Sequence, residues 1–475
     1  MDVLNDPLPA AVVPPPVTGA APPPEAAHAV SPARAAAEVT AAVLRDFTGG
    51  RHQGVIVDSP PGAGKSTLVV TAARAIADAG EPLMIVAQTN EQVDDLIVRL
   101  TTADPRLSVG RLSARGYTPA PRVADLDGVR VSSALDDLKG CAIVIGTADK
   151  WAYTKAERLP WAIVDEAYQM RSDKLLPIAT LFDRALFVGD PGQLDPFSTV
   201  GVDRWAGLSW DPMQSAVAVL ARHNPDLPVH RLPVSWRLPA SAAPLVSQAF
   251  YPFTGFRSGT AAGERRLEFT AAAFPGAESS GELPAAVDRT LDEAAASGWA
   301  LHELPSRHTV RTDAEAVTAC ARLAARLLRR GPVAHDEHGS HPVGPDRVAI
   351  GCAHKDQVAA IRAACADEGV PEGVTVDTAN RLQGREYDVT IVLHPLSGRR
   401  DATAFHLESG RLCVLTSRHR HACVVVARAG IPELLDTHPS IGGVHLNVPV
   451  KFPDGWEANH AVLDHLYRHR VPAYA

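Results

Sequence analysis

The sequence predicts an α/β protein with two successive parallel-sheet domains. Short apolar runs that end in polar residues alternate with amphipathic helical patterns, an arrangement typical of strands joined by crossover helices. This alternation occurs twice, over residues 54–190 and again over 314–426. We therefore predict one domain over 31–235, a second over 236–445, and a C-terminal extension over 446–475.

The composition indicates an intracellular protein of more than one domain. The chain has 475 residues, 46% of them hydrophobic, and a formal net charge of −8, which argues against a broad basic surface. The six cysteines form no C-x-x-C pair, so we expect reduced thiols in a cytoplasmic protein. Neither a signal segment nor an apolar run of about 18 residues occurs, and we expect no membrane partner.

Residues 1–30, rich in proline and alanine, are predicted to be a disordered tail.

The first helix is predicted from Ser31, its N-cap, to about Phe47. The stretch 54–67 follows, in which strand-forming residues lead into a Gly/Pro-rich turn that ends in Gly-Lys-Ser. Glycines let backbone N–H groups surround phosphate oxygens, and the N-terminus of the next helix adds partial positive charge. We predict a nucleoside triphosphate site in which Lys65 reaches the β- and γ-phosphates and Ser66 ligates Mg²⁺.

One position of this loop departs from the G-x-x-x-x-G-K-[ST] pattern. Ser59 stands in place of the first glycine, which is compatible with the turn provided that its φ stays negative. The alternative is a Gly-rich turn that binds nothing. The strand before it, the helix after it and the Lys-Ser pair favour the phosphate site.

Further buried strands are predicted at 83–87, 141–145, 161–165 and 185–189. Residues 101–138 and 255–310 show no clear core pattern. In a parallel sheet the carboxyl ends of the strands lie at one edge, where ligands bind. Polar residues that follow these strands are therefore candidates for the site.

Asp165 and Glu166 close one of these strands. The aspartate can hold Mg²⁺, and the glutamate can position and deprotonate the water that attacks the γ-phosphate. An isolated Asp-Glu pair is usually solvated, but this one follows a phosphate loop in the same sheet. Gln193 lies on the turn after the next strand, where it can sense the γ-phosphate; an ordinary Asp-Pro-Gly turn is the alternative.

Taken together, these blocks resemble those of a superfamily 1 helicase, of the branch typified by the nonsense-mediated mRNA decay helicase and its DNA-processing relatives. The resemblance covers roughly residues 31–430 and implies two tandem RecA-like P-loop domains with an ATP site in the cleft between them. The matching blocks are, in the family's order, 59–67 (motif I), 87–96 (Ia), 145–147 (Ib), 165–169 (II), 189–194 (III), 235–237 (IV), 376–386 (V) and 415–418 (VI).

The resemblance also implies roles for individual residues. The catalytic positions that it implies are Lys65, Asp165, Glu166, Gln193, Arg237 and Arg418. The ATP-binding positions are Pro61, Gly62, Ala63, Gly64, Lys65, Ser66, Thr67, Trp236 and Glu386, and the Mg²⁺ ligands are Ser66 and Asp165. The two arginines match residues that reach across the cleft, where guanidinium groups neutralise charge on the transferred phosphoryl group.

A second set of positions matches residues that touch a nucleic-acid backbone: Thr89, Asn90, Thr147 and Thr378. Hydroxyl and amide groups bind phosphate and sugar without reading bases, which suits a translocase on single strands. Residues 381–430 contain eight arginines and four acids in a chain whose net charge is −8. A solvated basic face is the alternative explanation of that excess.

Three features depart from the family pattern. Arg34 stands where relatives have a glutamine that reads adenine, and Trp236 replaces a tyrosine while staying aromatic. Few residues precede motif I or separate motifs Ia and Ib, where relatives carry accessory domains. The chain thus resembles a near-minimal motor core, to which a protein partner could supply an accessory function.

The predicted function is an ATP-dependent helicase or translocase that hydrolyses ATP on single-stranded DNA or RNA. The branch implies 5′-to-3′ movement, and the sequence does not distinguish DNA from RNA. Two alternatives stay open. One is a P-loop NTPase that acts as a regulatory or defence switch on a protein partner, and the other is a degenerate, non-catalytic nucleic-acid-binding protein.

Overall fold

A computed structural model of the chain describes residues 30–196, 205, 214–272, 282–309, 312–437 and 454–474, with only the backbone of 282–284. The tail predicted over 1–30 lies outside the described residues except for Val30. The description below concerns the compact unit Pro32–Ala475. In the described part of that unit, the helices are too short or too polar to cross a membrane.

The N-terminal lobe, residues 32–231, is built on a sheet of eight strands that are all parallel. Its strands and helices are, in chain order, α1 (Pro32–Thr48), β1 (Gly54–Asp58), α2 (Lys65–Asp78), β2 (Leu83–Ala87), α3 (Asn90–Ala103), β3 (Val109–Leu112), α4 (Pro121–Ala124), β4 (Val129–Ser132), β5 (Ile143–Thr147), α5 (Ala148–Ala152), β6 (Leu159–Asp165), α6 (Ser172–Ala179), β7 (Phe182–Gly189), α7 (Ala216–His223) and β8 (Val229–Arg231). The spatial order is β4-β3-β5-β2-β6-β7-β1-β8.

Both faces of this sheet are covered, which explains why its central strands are continuous apolar runs. Val55 and Val57 pack into one apolar core together with helices α2 and α3. Ile56, between them on β1, points to a second core that includes Trp151 of α5. Successive side chains of one strand thus face opposite helical layers.

The C-terminal lobe, residues 234–474, contains a second parallel sheet of six strands, a three-stranded antiparallel sheet and a short parallel pair. Its elements are β9 (Val234–Ser235), α8 (Ala243–Phe250), β10 (Arg257–Ser258), β11 (Arg266–Phe269), α9 (Glu282–Ser297), β12 (Trp299–Leu304), α10 (Ala314–Arg329), β13 (Pro332–Asp336), β14 (Gly339–Pro342), β15 (Val348–Cys352), α11 (Lys355–Asp367), β16 (Thr375–Thr378), α12 (Ala379–Leu382), β17 (Tyr387–Leu393), α13 (Ala404–Leu407), α14 (Ser409–Thr416), β18 (His419–Arg428), α15 (Ile431–Thr437), α16 (Gly455–Leu466) and β19 (Arg470–Pro472). The parallel sheet has the order β16-β15-β17-β18-β12-β19.

The predicted α/β class with two parallel sheets is confirmed. Several strands were not predicted. Strands β3 and β4 lie within 101–138, and β12 lies within 255–310. Neither of these two ranges shows a clear core pattern in the sequence. The predicted C-terminal extension contributes to the lobe, because α16 packs into its core and β19 pairs with β12. The exact boundaries of the two domains stay a prediction.

Candidate nucleotide site and nucleic-acid interface

The predicted phosphate loop connects the buried strand β1 to helix α2. Gly62 and Gly64 have φ of +72° and +90°, the left-handed region that glycine adopts without steric cost. Gly64 directly precedes α2 and offers no side-chain cap, so the first N–H groups of the helix are left for an anion. Thr67 is exposed and Ser66 half-buried in the first turn of α2, beside the loop.

Ser59 keeps the backbone conformation that its side chain requires. Among the described non-glycine residues only Glu166 has positive φ, so the expectation of negative φ at Ser59 is confirmed. The Ser59 N–H donates to the Gly189 carbonyl oxygen at 2.8 Å, which ties the loop to the end of β7. The serine is buried, and its hydroxyl has no hydrogen-bond partner within the described ranges of the chain.

Lys65 reaches from the start of α2 to the end of β6. Its Nζ lies 2.6 Å from Asp165 Oδ1 and 3.0 Å from Glu166 Oε1. Burial alone would lower the pKa of Lys65, but the charges of the two carboxylates outweigh it and raise that pKa. The structure thus brings three predicted catalytic residues together. Their buried carboxylate oxygens, with the nearby Ser66 hydroxyl, are the hard ligands that suit Mg²⁺.

Glu166 is held in an unusual conformation at the end of this strand. Its φ of 51° and ψ of 42° place it in the left-handed region, where non-glycine residues are uncommon. Gln169 Nε2 donates to Glu166 Oε2 at 2.9 Å, which fixes the carboxylate. Strain of this kind is concentrated at functional sites. Gln169 was not among the predicted site residues, although its place in motif II was a signal that could have identified it.

The Gln193 side chain points to a neighbouring carboxylate. Its amide donates to Asp190 on the same turn, and Tyr251 from the C-terminal lobe donates its hydroxyl to Asp190 at 2.5 Å. Burial raises the pKa of Asp190 to about 6, despite these hydrogen bonds. Gly410 of α14 packs directly on the Gln193 backbone, where a Cβ would overlap the carbonyl group. The loop after β7 is therefore a junction between the lobes.

Arg237 lies against the phosphate loop. A Cβ on Gly62 would overlap the Arg237 side chain, so glycine permits this close approach. Two hydrogen bonds from the residues before Arg237 stabilise this contact. Trp236 N donates to the Gly62 carbonyl at 2.9 Å, and Ser235 Oγ donates to the Pro61 carbonyl at 2.6 Å. Arg237 Nε in turn donates to Glu386 Oε2 at 3.1 Å.

Trp236 presents a ring beside the same loop. It is 38% exposed. Gly259 packs against the ring, where a Cβ would overlap it. Arg265, which sequence reasoning missed, donates to the Trp236 carbonyl at 2.7 Å and pairs with Glu337 at 2.6 Å. No motif signals this residue, because its partners are distant in the chain.

Arg418 is almost completely buried at the start of β18. Its Nη2 donates to Ser417 Oγ at 2.8 Å, while its Nε finds no hydrogen-bond partner among the residues that the structure describes. Burial, and next the charge of Arg237, lower the pKa of Arg418 to about 10. In the described part of the chain no carboxylate lies within ion-pair distance of it. The guanidinium is thus buried without an ion-pair partner among the described residues.

The four predicted backbone-binding residues lie at the carboxyl edges of the two sheets. Thr89 is an exposed N-cap of α3, and the side chain of Asn90 accepts from Arg111 at 3.1 Å. Thr147 caps α5 and is in register with the last residue of β2. Thr378 ends β16 and is 8% exposed, the least accessible of the four.

The fold and the site together define a P-loop protein with two lobes. One lobe contributes the phosphate loop, the lysine and the paired carboxylates. Arg237, which follows the first sheet in the chain, packs against that loop, and Arg418 lies near enough to Arg237 for its pKa to be lowered by the Arg237 charge. This arrangement suits binding and cleavage of a nucleoside triphosphate at the junction of the lobes.

Comparison with known proteins agrees with this class. One AAA domain family model matches residues 37–205, and another AAA domain model matches 217–430. The DNA replication ATP-dependent helicase/nuclease DNA2 of Xenopus laevis is 25% identical over 197 residues, which cover 37% of this chain and 18% of that protein. The chain therefore corresponds to less than a fifth of that relative.

Solved structures of viral helicases are similar over most of the chain. The arterivirus nonstructural protein 10 helicase has a TM-score of 0.41 and 16% identity, covering 82% of this chain and 61% of its own. The PRRSV helicase has a TM-score of 0.41 and 14% identity, covering 87% and 57%. A complex of the arterivirus helicase with DNA has a TM-score of 0.40.

The AAA domain matches cover both lobes, and the helicase motifs occur in order along them. The chain therefore carries an AAA-type P-loop core whose motifs are similar to those of superfamily 1 helicases.

Proposed function

We propose that this protein hydrolyses ATP and uses the cycle to move along single-stranded DNA or RNA. The observation that carries the proposal is the meeting of Lys65, Asp165 and Glu166 with Arg237 at one phosphate loop. A site that only stored a nucleotide would not need both a buried general base and an arginine from beyond the first sheet.

Binding begins with the phosphates. The loop N–H groups and Lys65 bind the β- and γ-phosphates, and the lysine exchanges its carboxylate partners for phosphate oxygens. The exposed ring of Trp236 stacks on the base, and Glu386 hydrogen-bonds the ribose. Ser66 and Asp165 would hold Mg²⁺, which would supply positive charge beside the phosphates.

Hydrolysis then uses groups already fixed by hydrogen bonds. Glu166 accepts a proton from the attacking water, because Gln169 holds its carboxylate at the end of β6. Gln193 orients that water. Arg237 and Arg418 stabilise the charge on the transferred phosphoryl group as the lobes close.

Movement requires a second site that changes with closure. Thr89, Asn90 and Thr147 on one lobe and Thr378 on the other bind successive backbone positions of a single strand. Because the two sets belong to different lobes, closure and opening change their separation. We place this cycle in the cytoplasm, which the six buried, unpaired cysteines favour.

The test is phosphate release by the purified protein with single-stranded DNA, single-stranded RNA or duplex DNA. We expect stimulation by a single strand, and loss of turnover in Lys65→Ala and Glu166→Gln. The surface variant Asp136→Asn is the matched control and should behave like the wild type. Turnover that no nucleic acid stimulates would favour a switch acting on a protein partner, and complete absence of turnover would favour a non-catalytic binding protein.

A further inference from the structure

One exposed ion pair joins the two lobes at the predicted nucleic-acid interface. Arg385 Nη2 lies 3.2 Å from Glu91 Oε1, and the two residues are 294 positions apart in the chain. The side chains are 46% and 63% exposed, so both are open to solvent and to a passing ligand. Exposed pairs of this kind are weak, because water screens the charges and the side chains lose freedom.

The surroundings of this pair point to a phosphate. Glu91 follows Thr89 and Asn90, the exposed N-cap and first residue of α3, which are predicted to bind a nucleic-acid backbone. Arg385 stands between Thr378 and β17, next to Gly384, whose φ is +80° and around which there is open space. The guanidinium thus lies where the strand-binding edges of the two lobes meet.

The chemistry of the two partners is unequal. A guanidinium fork binds a phosphate in the same bidentate way as a carboxylate, so a nucleic-acid phosphate can replace Glu91. Glu91 does not depend on Arg385 for a favourable environment. It lies in the first turn of α3, where the helix dipole stabilises a negative charge.

We propose that Arg385 binds a backbone phosphate of the single strand, and that Glu91 occupies Arg385 until the strand arrives. This inference rests on the proposed function. Glu91 acts as an internal substitute for the phosphate, so it lowers affinity for nucleic acid and keeps the lobes connected in its absence. When a strand binds, its phosphate replaces the Glu91 carboxylate on Arg385. The ion pair between the lobes is therefore broken only while a strand is bound.

The test is fluorescence anisotropy of labelled dT20 and rU20 with four proteins: wild type, Glu91→Gln, Arg385→Gln and the double variant. Arg385→Gln should weaken binding about tenfold, and the slope of log affinity against log salt should become shallower by about 0.7, as expected for one lost phosphate contact on a single strand. Glu91→Gln should tighten binding about threefold or more at low salt, because the competitor is gone. In the Arg385→Gln background, Glu91→Gln should have little effect.

The control is Asp136→Asn, which breaks a comparably exposed pair with Lys139 at 2.8 Å, within the N-terminal lobe. It should leave affinity unchanged. If Glu91→Gln tightens binding equally with and without Arg385, Glu91 acts only as a nearby negative charge and the inference is wrong. It is also wrong if wild type binds and Arg385→Gln binds equally well. If the wild type binds neither oligonucleotide, the proposed function itself fails.

Discussion

Arg237 Nε lies 3.1 Å from Glu386 Oε2, while the Arg237 backbone and Cβ pack against Gly62 of the phosphate loop. An arginine that touches the loop is therefore held by a carboxylate of the C-terminal lobe. Burial alone would raise the pKa of Glu386, but the charge of Arg237 and its hydrogen bond, with further arginines nearby, outweigh burial and lower that pKa. In the proposed function, nucleotide competes with this pair before the guanidinium can serve the reaction.

The role of Arg237 can be measured by substitution. Arg237→Ala should lower kcat about 10³-fold, as expected for an arginine that stabilises a transferred phosphoryl group. Arg237→Lys keeps the charge but loses the planar fork, so kcat should still fall at least about tenfold. Steady-state phosphate release gives both values. Arg266→Gln, which removes an exposed arginine paired with Glu268, is the control; an equal fall there would remove the special role of Arg237.

Gly62 should be required for two separable reasons. Its φ of +72° disfavours a side chain, and a Cβ would also displace Arg237. Gly80 has φ of +77° but open space around it, so Gly80→Ala isolates the backbone cost, about 1–2 kcal/mol. Gly62→Ala should lose more thermal stability than Gly80→Ala because of the added clash with Arg237, and only Gly62→Ala should lose phosphate release. Equal activity of the two would show that contact with Arg237 is unimportant.

Tyr251 should stabilise the junction of the lobes through its hydroxyl. Tyr251→Phe leaves the buried Asp190 with one donor fewer, and the free energy of unfolding should fall by about 1–3 kcal/mol. Urea unfolding measures this change. Tyr153 is 85% exposed, so Tyr153→Phe is the matched control and should change stability by less than about 0.5 kcal/mol. Equal small effects in both would contradict a structural role for the Asp190–Tyr251 hydrogen bond.

Asp190 should make stability depend on pH. Burial raises its pKa from 3.8 to about 6, so between these values the folded protein holds a proton that the unfolded chain releases. The resulting stabilisation is complete below pH 3.8 and is lost as pH rises through about 6. Relative to Asp190→Asn, the free energy of unfolding of the wild type should therefore fall by about 3 kcal/mol across this interval. If the difference in free energy of unfolding between wild type and Asp190→Asn does not vary with pH, the shifted pKa of Asp190 is contradicted.

The sequence was most informative where a local pattern coincides with a strand end. The phosphate loop is recognisable because its turn, strand and helix are adjacent. Asp165 and Glu166 could be assigned because they end a clear apolar strand of the same sheet, and they do lie beside Lys65.

Strands that contain a buried polar residue were harder to predict. In β3, Arg111 is fully buried and pairs with Asp94 at 2.7 Å. In β12, His302 and Glu303 are buried, and Glu303 pairs with Arg470, which lies 167 positions further along the chain. The apolar pattern is broken at each of these residues, and the partner that makes burial possible is known only once the chain has folded.

The same reason explains the missed residues of the site. Arg265 fixes the backbone of Trp236, and Tyr251 reaches Asp190 across the junction of the lobes. Neither contact is local in sequence. The order of the motifs could place the predicted site residues, but it did not show the hydrogen bonds that hold them in position.

The most direct test of the central claim is the kcat of phosphate release measured against increasing concentrations of a single-stranded dT20 or rU20 oligonucleotide. The proposed motor predicts a saturable rise in kcat, at least about tenfold for one of the two strands, that disappears in Glu166→Gln while the strand still binds. A kcat that stays constant across the titration in the active wild-type protein would contradict it.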